Sequence, residues 1–294
     1  MKYVDSVQVQ KKMNTRILRN NIAKTIFFLS TTFGVIVLAV LIARVFSQSI
    51  GWIDYDFLTG RLSTNADRAG IMGAILGTLW LMAVVAPVTM LIGVGTAIYL
   101  EVYAKRGKIH SFIQTNIRNL AGVPSIVFGI LGLTIFVRAM DLGNIVLAGG
   151  LTMSLLVLPI VVVASQEALR SVPQHLSEAS YAMGATKWQT IKNVVLPAAL
   201  PGILTGLILS LSRAIGETAP LVVIGIPALL VPFPGGIMDR FTILPMQIYY
   251  WTIDSVLVAE YANLAAATIV VLLIVLFLMN SVAIIIRNKF QRRY

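Results

Sequence analysis

There is no cysteine among the 294 residues, which excludes disulfides and thiol chemistry. Charge is nearly as scarce: 12% of residues are Asp, Glu, Lys or Arg, against 57% hydrophobic, at a mean hydropathy of +0.86. A soluble domain of this length needs far more charge to cover its surface. The two histidines, His110 and His175, fall in separate charged loops, which argues against a metal pair. No Gly-x-x-x-x-Gly-Lys-Ser/Thr run is present, so any use of ATP requires a separate ATPase. A cluster of His, Asp or Glu near one surface, as a membrane-embedded enzyme would need, is not found either.

What the chain does have is long runs without charge. Six of them, residues 25–43, 69–100, 119–137, 142–166, 193–212 and 261–286, each hold at least 19 residues. A helix needs roughly 20 apolar residues to cross the hydrocarbon core. The expected fold is therefore all-α and integral to the membrane, with about six transmembrane helices. Basic residues set the orientation. The N-terminal arm, the second and fourth loops and the tail carry 17 of the 23 Lys and Arg, so both termini are expected in the cytoplasm. The net charge of +11 then follows membrane sidedness and does not imply nucleic acid. The length of the first apolar run, and the lack of a small-residue cleavage site after it, favour an uncleaved span. The expected organisation is an arm over 1–24, one membrane domain over 25–286 and a basic tail over 287–294.

A seventh uncharged stretch, 218–238, contains Pro220, Pro227, Pro232 and Pro234 with Gly225, Gly235 and Gly236. Lipid cannot satisfy the carbonyls that so many prolines free, so this stretch reads as the end of the fifth span followed by an outer loop or a re-entrant segment. Trp52, Tyr55 and Phe57 in the first outer loop suit the membrane interface. Pro87 and Pro159 permit kinks, and Gly73, Gly77, Gly93, Gly95, Gly149 and Gly150 read as ordinary close packing between helices. Arg44 and Arg138 are expected to snorkel at outer span ends, and Glu101 to end the second span as a solvated residue.

The cytoplasmic loop 171–197 is no plain linker. Ser171 reads as an N-cap before Val172-Pro173, and Leu176, Ala179, Ala182 and Met183 fall on one helical face. Gly184 breaks that helix. Thr186 to Gln189 fits a capping box, and Trp188, Ile191 and Val195 recur at helical spacing in a second helix. Two short amphipathic helices held between two spans either lie on lipid or dock a cytoplasmic partner.

In the fifth span, Arg213 and Glu217 stand four residues apart on one helical face. Arg213 comes 16 residues after Pro197, roughly 24 Å along a helix at 1.5 Å per residue, which predicts a depth past the midplane. Charges there are expensive, and they mark either a structural salt bridge or a transport path. In the second case Arg213 meets a passing oxyanion with its fork of donors, and Glu217 holds the guanidinium and limits binding. Ser210 and Thr218 add hydroxyls beside them.

The loop motif resembles a known family. Glu178-Ala179-Ser180, three residues, Gly184, nine residues, Val194 and then Leu196-Pro197 is similar to the EAA loop of ABC importer permeases, with Ser180 for an alanine and Val194 for an isoleucine. The resemblance implies the type I ABC importer permease fold in the cytoplasmic membrane. It also implies a coupling helix over 178–187, including Ala185, Thr186 and Lys187, that sits in a groove of an ATP-binding subunit. The run Gly216-Glu217-Thr218-Ala219-Pro220-Leu221 further resembles the PstA type of phosphate importer permease. That implies half of a translocation pore for inorganic phosphate. The implied partners are a PstC-type permease, two PstB-type ATPases that bind ATP and Mg, and an extracytoplasmic phosphate-binding protein. A permease for sulfate or molybdate would share the loop and differ near Arg213. A secondary transporter would need further intramembrane carboxylates beyond Glu217.

Overall fold

The structure is a computed structural model that describes residues 6–227 and 232–290, all helices, turns and loops with one isolated β-bridge. The helices are α1 (Ser6–Ser49), α2 (Tyr55–Thr59), α3 (Met72–Ile98), α4 (Lys108–Leu120), α5 (Ser125–Gly132), α6 (Val146–Arg170), α7 (Gln174–Ala182), α8 (Lys187–Thr190), α9 (Leu196–Ile215), α10 (Ala219–Ile224), α11 (Leu244–Asp254) and α12 (Glu260–Phe290). Five helical segments are long and apolar enough to cross a membrane: Arg16–Ser49, Met72–Tyr103, Val146–Arg170, Lys187–Ile215 and Glu260–Lys289. A sixth arises if α4 and the segment Ser125–Ala139 count as one bent span. The basic arm is helical from Ser6 and continues into the first span as α1, while Lys2 and the tail's Arg292 and Arg293 lie outside the described residues.

The third charge-free run does not form a straight helix. The chain breaks at Gly122–Pro124, where the segment Ser125–Ala139 meets the preceding, charged α4 at 102°. Proline has no N–H to continue the ladder and pushes Val123 before it away from helical geometry. Three π-turns lengthen other helices: Tyr99–Tyr103 after α3, Leu133–Ala139 after α5 and Ile191–Val195 before α9. In the last, the Leu196 N–H reaches back five residues to Ile191. Pro197 beyond it has no N–H for the Asn193 carbonyl, so the ladder shifts register there.

The centre of the bundle is α3, α6 and α9, whose buried Leu81, Val85, Met153, Val157 and Ile215 form one apolar cluster with Phe241 and Ile243 of the outer segment. Small residues bring these helices together. Gly202 of α9 meets Ala168 of α6, and Gly206 meets Ala164. Each step of four up α9 thus matches a step of four down α6, which places Arg213 level with Val157, near the middle of α6. On the same scale Pro197 lies level with Pro173, beyond the cytoplasmic end of α6. The helix begins below the end of α6, so Arg213 stands about level with the middle of α6.

The seventh stretch turns back into the bundle. After α9 stops at Gly216, α10 packs on α5, with Pro220 and Val223 against Gly129. Gly225, at φ +79°, ends α10 in the left-handed region that glycine tolerates. Residues 228–231 lie outside the described residues. The chain then caps α6, whose first two N–H groups, of Val146 and Leu147, donate to Asp239 and Ile237. Phe57, expected at the interface, is buried with Trp251 in a second cluster at the outer end. Burial pushes the Tyr250 hydroxyl pKa upward, which keeps the proton that it donates toward the Ile226 carbonyl.

Candidate functional site

The loop between α6 and α9 folds as a stiff two-helix unit. Gly184 turns the chain at φ +82°, where any Cβ would be strained. The capping box forms as the sequence predicts: Thr186 Oγ accepts from the Gln189 N–H, and Gln189 Oε1 accepts from the Thr186 N–H at 2.8 Å. The departure at Ser180 has a physical role, because its hydroxyl lies 2.9 Å from that of Thr190 and joins α7 to α8.

Two expectations for this loop are corrected. Ser171 does not begin α7: it ends α6, with its hydroxyl on the Ala168 carbonyl, and Pro173 stands at the cap position of α7. Trp188, Ile191 and Val195 do not continue at one helical spacing, and they differ in burial: Trp188 is exposed and Ile191 buried. The π-turn over Ile191–Val195 changes the rotation per residue between Ile191 and Val195. The outward surface is apolar: Ala179 and Ala182 are exposed, and Met183 is 88% exposed. Glu178 and Lys187 are exposed beside them, and Ala185 is half-buried. Leu196 and Pro197, also half-buried, open α9.

Glu101 is not a solvated end residue. The π-turn after α3 aims it at Arg170, which holds both carboxylate oxygens at 2.6 and 2.9 Å, and the Glu101 side chain is only 12% exposed. Glu167 takes a further guanidinium N–H at 3.1 Å. Two residues on, the Tyr103 ring lies 4.9 Å from Lys187 Nζ. The sequence gives one signal for this clamp, a lone acid among basic cytoplasmic residues, and its partner lies 69 residues away.

At mid-height the second ion pair is much looser. Arg213 Nε stands 3.4 Å from Glu217 Oε1 in a single contact, with side chains 54% and 22% exposed. Ser210 is not beside them: it is buried, and its hydroxyl is spent on the Gly206 carbonyl. Thr218 follows the break after α9 as the residue before α10, and its carbonyl accepts the Leu221 and Val222 N–H groups. Sequence reading missed Asn280 of α12, whose Oδ1 lies 2.7 Å from the Ser212 hydroxyl. An uncharged asparagine inside an apolar run carries no charge signal, and only the packing of α12 on α9 reveals it.

These two features, an exposed apolar two-helix loop on one side and a half-exposed cation at mid-bundle, agree with the comparisons to known proteins. Residues 90–294 match the family described as the binding-protein-dependent transport system inner membrane component. The probable ABC transporter permease protein YqgI of Bacillus subtilis is 33% identical over 209 residues, 71% of each chain. The phosphate transport system permease protein PstA of Yersinia pestis is 30% identical over 286 residues, 95% of this chain and 94% of its own. PstA 1 of Mycobacterium tuberculosis is 37% identical over 215 residues, 71% of this chain and 69% of its own. Among solved structures, the MetNI methionine ABC transporter in inward-facing form covers 76% of this chain and 96% of its own at 21% identity and a TM-score of 0.60. A bacterial ABC transporter involved in alginate import covers 98% of this chain and 100% of its own at 15% identity and a TM-score of 0.60. At such identities the likeness is one of fold. The chain belongs to the inner membrane components of binding-protein-dependent transport systems: a multi-pass ABC importer permease, which moves its cargo without covalent chemistry of its own.

Proposed function

We propose that this permease forms half of the translocation pore for inorganic phosphate, paired with a PstC-type permease. Two PstB-type ATPases would bind ATP and Mg, and an extracytoplasmic phosphate-binding protein would deliver the anion. The observation that carries the reading is the contrast between the two arginines. A guanidinium that locks a structure is gripped on both oxygens, as Arg170 is by Glu101. Arg213 instead has one long contact and more than half its side chain exposed at mid-bundle. That leaves most of its donors free for a tetrahedral oxyanion, with Glu217 close enough to keep binding weak and release fast. The PstA relatives, at 30% and 37% identity, support phosphate as the anion.

The apolar surface at Ala179, Ala182 and Met183 would dock one ATPase. Because the loop is stiff and continuous with α9, closing of the ATPase dimer on ATP would move the pore-side helices between two arrangements. The test is ATP-dependent uptake of radiolabelled phosphate by vesicles holding the assembled transporter. Arg213→Ala should lower uptake by about tenfold or more while assembly persists, and Arg213→Lys should restore only part of it. Uptake near the wild-type rate in Arg213→Ala would make the pair structural and remove the reading's main support. Inhibition by excess sulfate or molybdate, with uptake of those anions in place of phosphate, would move the assignment to another oxyanion.

A further inference from the structure

The coupling loop is joined covalently to α6 and α9, but not to α3, which packs along the full height of α6. Two contacts reach the π-turn at the cytoplasmic end of α3: one comes from Arg170, the last residue of α6 where the loop begins, and one from Lys187 within the loop. Arg170 grips Glu101 with two donors, at 2.6 and 2.9 Å, and Lys187 at the start of α8 lies over the Tyr103 ring. Glu101 is nearly removed from solvent, and Arg170 is its sole ion-pair partner among the described residues. A largely shielded carboxylate held by a fork of donors resists separation, because parting leaves its charge without a partner. A cavity of about 250 Å3, lined by Glu101, Arg106, Arg170, Gln174, Tyr181 and Ile191, leaves room beside the clamp for the loop to shift.

We propose that Glu101 is the positioning residue through which the coupling loop moves α3, so that the Glu101–Arg170 clamp sets how tightly ATP hydrolysis is coupled to anion transport. This rests on the reading of the loop as the ATPase dock. Without the clamp the loop would still follow the ATPase through α6 and α9, but the cytoplasmic end of α3 would lag behind the end of α6. Hydrolysis would then proceed without a matching movement of the pore. Tyr103 acts as a second, weaker hold, since a cation over an exposed ring is worth less than a two-donor, charge-assisted fork.

The experiment uses the complete transporter with its binding protein in vesicles, reading phosphate uptake and ATP hydrolysis together. Glu101→Gln keeps the shape and removes the charge. The ATPase should still co-purify and basal hydrolysis should stay close to wild type, while phosphate taken up per ATP falls by about fivefold or more. The exchange Glu101→Arg with Arg170→Glu should recover at least half of that loss. A wild-type ratio of uptake to hydrolysis in Glu101→Gln overturns the proposal, as does a proportional fall in both that the exchange fails to rescue. Met183→Asp tests the dock separately and should abolish co-purification of the ATPase. If it leaves the ATPase bound, the docking reading fails and the proposal falls with it, whatever Glu101→Gln shows.

Discussion

The carboxamides of Gln114 and Gln166 face each other head to tail, each Nε2 donating to the other's Oε1 at 2.9 Å. They fasten α4 to the cytoplasmic half of α6, and both side chains are buried. Replacing one by leucine strands the other amide, a loss of about 1–3 kcal/mol. Replacing both removes the polar groups together. Thermal unfolding of the purified subunit should show Gln114→Leu and Gln166→Leu each lowering Tm, with the double variant falling less than the sum of the two. Additive shifts would mean that the amides act independently.

Glu217 has a separate consequence for transport. If its carboxylate weakens the hold of Arg213 on the anion, Glu217→Gln should lower both the KM for uptake and the maximal rate, because tighter binding slows release. An unchanged or raised KM would show that Glu217 serves only to orient the arginine.

Gly184 isolates a backbone effect. Nothing lies within 4 Å of an added Cβ, so Gly184→Ala meets no clash. Its φ of +82° still costs an L residue about 1–2 kcal/mol. If the loop docks the ATPase as proposed, Gly184→Ala should retain a smaller fraction of it on co-purification. Gly184→Asn should be milder, since asparagine enters the left-handed region more readily.

Packing between spans gives a matched pair of variants. A side chain at Gly206 would run into Ala164 of α6, so Gly206→Leu should destabilise the subunit by about 1–3 kcal/mol, read as a lower Tm. Gly95 faces open space inside a helix, so Gly95→Ala should leave Tm unchanged or raise it, by up to about 1 kcal/mol in stability.

Charge-free length located the membrane segments because the cost of burying charge in hydrocarbon acts on every such helix alike. Direction is another matter: the count in 119–137 gives no sign that Ser125–Ala139 leaves α4 at 102°, although Gly122 and Pro124 mark the break. The capping box at Thr186 was legible because both of its partners are local. Glu101 with Arg170, and Ser212 with Asn280, were not, since each pair joins residues 68 or 69 positions apart through helix packing. Ser210 shows the converse. A hydroxyl near the ion pair in sequence is buried when the helix is formed and bonds its own backbone.

The π-turn at Ile191–Val195 separates two surfaces that one continuous helix would otherwise lock together. One extra residue turns everything beyond it by about 100° at 3.6 residues per turn. The side chains that α8 exposes and those that α9 turns into the bundle are therefore set by different stretches of sequence, on one rigid rod. Such an offset acts like the keyed joint of a crankshaft: it lets the angle of the driven end be chosen without recutting the driving one.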